Sequence, residues 1–131
     1  MAARILIIED DDASRELVKY LLTAAGHTML EAEDGRAGVH LALHARPDVI
    51  ICDLQMPVLN GYEVVRTLRE HAEWHPVPLI AVTAFSMTGD REAALAAGFD
   101  EHISKPIVPE TFTSQVEAFL PPSLRSTSPP Q

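Results

Sequence analysis

Basic residues are few in this chain, and cysteines, aromatic residues and long apolar runs are fewer. Ten Lys plus Arg stand against nineteen Asp plus Glu, a net charge of -9. That balance argues against direct binding to nucleic acid, whose phosphates reward clustered Lys and Arg. The single cysteine, Cys52, lies inside an apolar stretch. One cysteine excludes a disulfide framework and a cysteine-rich zinc site, and reads as a small core residue in a reducing compartment. No run approaches the ~20 apolar residues of a membrane span. Ile5-Leu6-Ile7-Ile8 gives way at once to four acids, unlike a secretory signal. The expectation is a cytoplasmic protein without a membrane partner.

What remains is a pattern of short apolar runs. Ile5 to Ile8, Asp48 to Cys52 and Pro78 to Val82 are clear, and Thr28 to Ala32 and His102 to Ser104 are weaker. Each is too short for a helix, and the clear runs are rich in β-branched residues, as strands buried on both faces are. Between them run helical stripes. Leu17, Val18, Leu21, Leu22 and Ala25 form the first, with Gly26 just past its end. Gly38, Leu41, Ala42 and Ala45 form the second, closed by Pro47; Gly61, Val64, Val65 and Leu68 form the third. Ala93, Ala94 and Ala97 precede Gly98 in the fourth, and Phe112, Val116, Phe119 and Leu120 form the last. Strand and helix thus alternate five times, which predicts an α/β fold, a parallel sheet with helices on both faces. Residues 1–120 make one domain in this reading. The remainder, PPSLRSTSPPQ, has four prolines and three serines in residues 121–131 and reads as a disordered tail or the start of a linker.

In open α/β sheets, ligands bind beyond the carboxyl ends of the strands. Strand 1 ends in Glu9-Asp10-Asp11-Asp12, strand 3 in Asp53, strand 4 in Thr83-Ala84, and strand 5 in Lys105-Pro106. If strands 1 and 3 are neighbours, Glu9, Asp10 and Asp53 converge, and carboxylates so close require either a proton or a cation. Hard oxygen ligands favour Mg²⁺, with Mn²⁺ as a substitute. Such a site beside a hydroxyl and an ammonium suits phosphoryl transfer, with Asp53 attacking phosphorus and Thr83 and Lys105 holding phosphoryl oxygens.

IEDD at 8–11, D-x-x-M-P at 53–57 with Gly61 following, VTA at 82–84 and SKP at 104–106 together resemble the receiver domain of two-component response regulators. The likeness runs in order from residue 4 to 120. The stretch from Ala81 to Ile107 is most similar to receivers of hybrid sensor kinases and stand-alone regulators. The resemblance implies a flavodoxin-like, doubly wound (βα)5 fold with strand order 2-1-3-4-5. It implies that Asp53 accepts a phosphoryl group from a histidine kinase or histidine phosphotransfer protein, a signalling step rather than turnover of an outside substrate. Asp10 would bind Mg²⁺ directly, Glu9 through water, Asp53 by a carboxylate oxygen and Gln55 by its backbone carbonyl. Thr83 and Lys105 would contact the phosphoryl group, with Lys105-Pro106 in cis and Ala84 small enough to admit it. Thr83 and His102 would form the switch that alters the surface of helix 4, strand 5 and helix 5 for a downstream signalling protein. The family often carries Tyr or Phe where His102 stands; histidine there makes pH-sensitive signalling an expectation. Phe85 is bulky for its position and would slow self-dephosphorylation. The same resemblance leaves room for an intermediate in a phosphorelay or a receiver cut from a larger hybrid kinase.

Plainer readings apply to the rest. Asp11 and Asp12 suit the N-cap and first turn of helix 1 better than a metal. His40 with His44, and His71 with His75, have the spacing of a zinc pair but no evident third ligand, and read as exposed structural residues. Trp74 reads as a local packing residue, and alternation points Cys52 away from the side of Asp53. A dehalogenase-type aspartate enzyme needs D-x-D and finds Asp53-Leu54-Gln55. A flavodoxin-like electron carrier needs a Ser/Thr/Gly-rich loop after strand 1 and finds four acids. A degenerate receiver would lack a site residue, and none is lacking.

Overall fold

The computed structural model describes residues 3–54, 56, 60–70, 77–83 and 89–120. In chain order it runs β1 (Arg4–Ile8), α1 (Asp12–Ala24), β2 (Thr28–Ala32), α2 (Gly35–Ala45), β3 (Val49–Asp53), α3 (Gly61–Arg69), β4 (Leu79–Thr83), α4 (Asp90–Ala97), β5 (Glu101–Ser104) and α5 (Pro109–Glu117). The strands form one parallel sheet in the order β2-β1-β3-β4-β5. This is the flavodoxin-like topology that the resemblance implied.

Alternation along the strands divides the core in two. Leu6, Ile8, Ile50, Cys52, Leu79 and Ala81 face a layer built from Ala42 of α2, Val64, Val65 and Leu68 of α3, and Ala94 of α4. Ile5, Ile7, Val49, Ile51, Ile80 and Val82 face Val18 and Leu22 of α1 and Phe112 and Val116 of α5. The central strands are therefore apolar at successive positions, because both faces are covered. β2 and β5 lie at the edges and are only partly buried, so their apolar runs are the weak ones.

Boundaries follow local hydrogen bonding. Asp48, expected in strand 3, precedes it, and its carboxylate accepts the Arg4 N–H at 2.8 Å. Pro78 precedes β4, and its carbonyl accepts the Ile50 N–H at 3.0 Å. Asp53 and Thr83 are the last residues of their strands, at the carboxyl ends where the sequence placed them. Two members of the helical stripes turn outward: Leu17 is 37% exposed and Ala93 is exposed. Asp11 caps α1, its carboxylate accepting the Ser14 N–H at 2.8 Å, and Asp12 stands in the first turn. Gly26, just past α1, takes φ +97°, a backbone state that favours glycine. Among the described residues no helix is long and apolar enough to cross a membrane.

Candidate functional site

The parallel register brings the acids together. Ile8 pairs with Cys52, so the next residues, Glu9 and Asp53, stand side by side where β1 and β3 end. Asp10 follows on the same loop, and one carboxylate oxygen from each of Glu9, Asp10 and Asp53 lies within 4.8 Å of the others. Glu9 and Asp53 are buried, whereas Asp10 is exposed. Gly61 begins α3 directly beneath this corner. A methyl group there would stand 2.7 Å from the Asp53 carbonyl oxygen and 2.8 Å from Leu54 Cα, so only glycine lets the helix approach.

Lys105 reaches into the cluster from the loop after β5. Its Nζ donates to Glu9 Oε1 at 2.8 Å and to Asp53 Oδ2 at 3.5 Å, and its backbone N–H donates to the Thr83 carbonyl at 2.8 Å. The Lys105-Pro106 peptide is cis. Thr83 is buried at the end of β4, on the strand next to Asp53. His102 pairs with Ala81 in the β4–β5 register. Its Nε2 is buried and has no hydrogen-bond partner among the described residues.

One lysine does not neutralise this corner. Burial above all, and then the hydrogen bond and charge of Asp53, push the Glu9 carboxyl up from 4.5 to about 7, against the pull of Lys105. Burial works against the Lys105 ammonium, but its bond to Glu9 and the charge of Asp53 outweigh that and hold its pKa above the usual value. Converging oxygens with a carboxyl forced toward its neutral form are the donor set and the charge deficit that a hard divalent cation satisfies.

The remaining expectations distribute as follows. Cys52 is buried on the opposite face of the sheet from Ile51, and burial pushes its thiol far up, which makes it an inert core residue. His40 and His44 are exposed, their ring centroids 4.2 Å apart. Among the described residues, Glu9, Asp10 and Asp53 are the only group of three or more that could hold a metal. Gln55, Pro57, His71, Trp74, His75, Ala84, Phe85 and residues 121–131 lie outside the described residues.

Three buried polar residues, Arg15, His27 and Glu117, are not anticipated from the sequence. Arg15, on the first turns of α1, donates to the Glu9 carbonyl at 2.8 Å and to Asp12 Oδ1 at 2.5 Å. His27 joins the chain start to α5: its Nδ1 accepts the Ala3 N–H at 3.1 Å, and its Nε2 meets Glu117 Oε2 at 2.5 Å. A signal existed for Arg15, an arginine on the apolar side of the helix that follows the acids. A lone histidine in a turn offers none.

Comparison with known proteins agrees with the geometry. Residues 5–117 match the family model described as the response regulator receiver domain. The polar-differentiation response regulator DivK of Brucella anthropi is 35% identical over 120 residues, which cover 92% of this chain and 98% of that protein. The chemotaxis protein CheY4 of Vibrio cholerae superposes with a TM-score of 0.85 at 31% identity, covering 92% of this chain and 100% of the other. The receiver domain of sensor histidine kinase PA1611 from Pseudomonas aeruginosa, with magnesium ion coordinated in its active site cleft, superposes with a TM-score of 0.83 at 30% identity, covering 91% and 98%. With the strand order, the acidic corner and the family match in agreement, the chain belongs to the response regulator receiver domains of two-component signalling.

Proposed function

We propose that this receiver takes a phosphoryl group onto Asp53 from a phosphohistidine, on a histidine kinase or a histidine phosphotransfer protein, and in that form controls a downstream signalling protein. The observation that carries the reading is the convergence of Glu9, Asp10 and Asp53 with the Lys105 ammonium at the carboxyl ends of the strands. In the transfer, an Asp53 carboxylate oxygen bonds to phosphorus as the phosphorus–nitrogen bond breaks, and the electron pair returns to the imidazole. Glu9, Asp10, Asp53 and the Gln55 carbonyl would hold Mg²⁺, or Mn²⁺ in its place, and the cation supplies charge neutralisation for the carboxylates and the incoming oxygens. Lys105 exchanges part of its bonding to Glu9 for a phosphoryl oxygen. The Thr83 hydroxyl donates to another.

The response is a change of surface. Thr83 shifts toward the phosphoryl group and His102 follows, so α4, β5 and α5 present a different face. His102 Nε2, buried and without a partner among the described residues, supports this reading, since such an atom has a partner to gain in a second state. The protein's chemistry is confined to its own phosphorylation and dephosphorylation. A net charge of -9 favours a protein partner over DNA, in a cytoplasmic setting. We read residues 1–120 as the receiver and residues 121–131 as a tail or linker. Likeness to the receiver of a sensor histidine kinase favours one second reading, a phosphorelay intermediate or a receiver portion of a larger kinase.

The test is incubation with a small acyl phosphate, with Mg²⁺ and with chelator, followed by intact mass. The expected result is one phosphoryl group added only with the metal and absent from Asp53→Asn. Addition to wild type and Asp53→Asn alike would overturn the proposal.

A further inference from the structure

Arginine is seldom buried unless its donors are matched, yet the Arg15 side chain is only 10% exposed. Its guanidinium is divided among three acceptors. One arm donates to the Glu9 backbone carbonyl at 2.8 Å. Another pairs with Asp12 Oδ1 at 2.5 Å, and Nε approaches Glu31 Oε1 at 3.5 Å. Glu31 is itself gripped from the other side by Lys19 Nζ, 3.2 Å from Oε2. The fork therefore ties the start of α1 to the ends of β1 and β2.

The Glu9 carbonyl is the informative contact. The Glu9 N–H still belongs to the sheet, donating to the Ala32 carbonyl at 3.0 Å. The carbonyl belongs to the following peptide unit, the one that joins Glu9 to Asp10, and rotation of that unit would swing the two side chains relative to each other. Glu9 is buried and anchored by Lys105, whereas Asp10 is exposed, so the orientation of Asp10 depends most on the backbone. We propose that Arg15 is a positioning residue for the metal site, holding the Glu9-Asp10 peptide so that both carboxylates face Asp53. This rests on the Mg²⁺-dependent reading above.

The direction of the effect separates positioning from charge. A guanidinium near a cation site repels the cation, so charge alone predicts tighter Mg²⁺ binding when Arg15 is neutralised. Positioning predicts weaker binding, because partners that orient metal ligands are typically worth 10–100-fold in affinity. The experiment is calorimetric titration of Mg²⁺ into wild type, Arg15→Met, Arg15→Lys, Glu31→Gln and Asp10→Asn, with thermal unfolding in chelator for each. Arg15→Met is expected to lose about tenfold or more in affinity. Arg15→Lys, which keeps a donor for the Glu9 carbonyl, recovers part of that loss, and Glu31→Gln stays close to wild type. If Arg15→Met does not fold, Arg15→Lys alone must still bind more weakly than wild type. Unchanged or tighter binding in the folded Arg15 variants overturns the proposal, even where unfolding temperatures fall. If Asp10→Asn abolishes binding at the same time, the underlying metal reading survives; if wild type itself binds no Mg²⁺, both fail.

Discussion

Glu9→Gln should stabilise the metal-free protein, and more so as pH rises. The Glu9 side chain is only 3% exposed, and its carboxyl is raised from 4.5 to about 7, first by burial and then by Asp53. A carboxyl that holds its proton more tightly in the fold than in the unfolded chain makes the native state the more protonated one between those values. Stability contributed by this group is therefore full below 4.5 and falls as pH climbs to about 7. At about 1.4 kcal/mol per tenfold, the charged form costs the fold on the order of 3 kcal/mol above that window. Glutamine keeps an oxygen for the Lys105 Nζ, 2.8 Å away in wild type, and carries no charge. Urea unfolding in chelator, wild type against variant, should show near-equal stability at the acid end. By about pH 8 the variant should lead by on the order of 3 kcal/mol. Saturating Mg²⁺ should shrink or reverse that lead, since the wild type keeps the full ligand set. A difference that does not vary with pH, or a wild type that gains on the variant as pH rises, would refute the electrostatics assigned to this corner.

Gly61→Ala would press a methyl to within 2.7 Å of the Asp53 carbonyl, so it should cost about 1–3 kcal/mol in urea unfolding and slow acyl phosphate labelling. A normal labelling rate would count against it. His27→Ala removes the acceptor of the Ala3 N–H and a 2.5 Å bond to Glu117. It should lower stability by about 3 kcal/mol, with part of the loss recovered in His27→Gln, as thermal unfolding would show. Thr83→Ala should still be labelled by acyl phosphate but lose the phosphorylation-dependent gain in partner affinity. Retention of that gain would remove Thr83 from the switch.

The parts of the fold legible in sequence are those where burial is complete. β3 and β4 are buried at every position, and up to the terminal Asp53 and Thr83 their residues form unbroken apolar runs, whereas the edge strands β2 and β5 are half covered and correspondingly faint. Stripe spacing finds the inward face of a helix but not its edges, so Leu17 and Ala93 fall outside the core although Val18 and Ala94 beside them fall within it. Glu9, Asp10, Asp53 and Lys105 were legible because each follows or ends a strand, and a parallel sheet gathers such positions at one edge. Arg15 left only the signal of its place on the apolar side of α1, because its acceptors, the Glu9 carbonyl and the Asp12 and Glu31 carboxylates, are gathered by the fold. His27 left none, because it meets an amide and a carboxylate 90 residues away, and neither leaves a pattern in the order of side chains.

The central claim is that Asp53, rather than Glu9 or Asp10 beside it, receives the phosphoryl group. Borohydride reduction after labelling with acyl phosphate and Mg²⁺ converts an aspartyl phosphate to homoserine, which peptide mass mapping locates. The account predicts homoserine at position 53 alone, and none in chelator. Homoserine at position 10, or labelling that survives in Asp53→Asn, would contradict it.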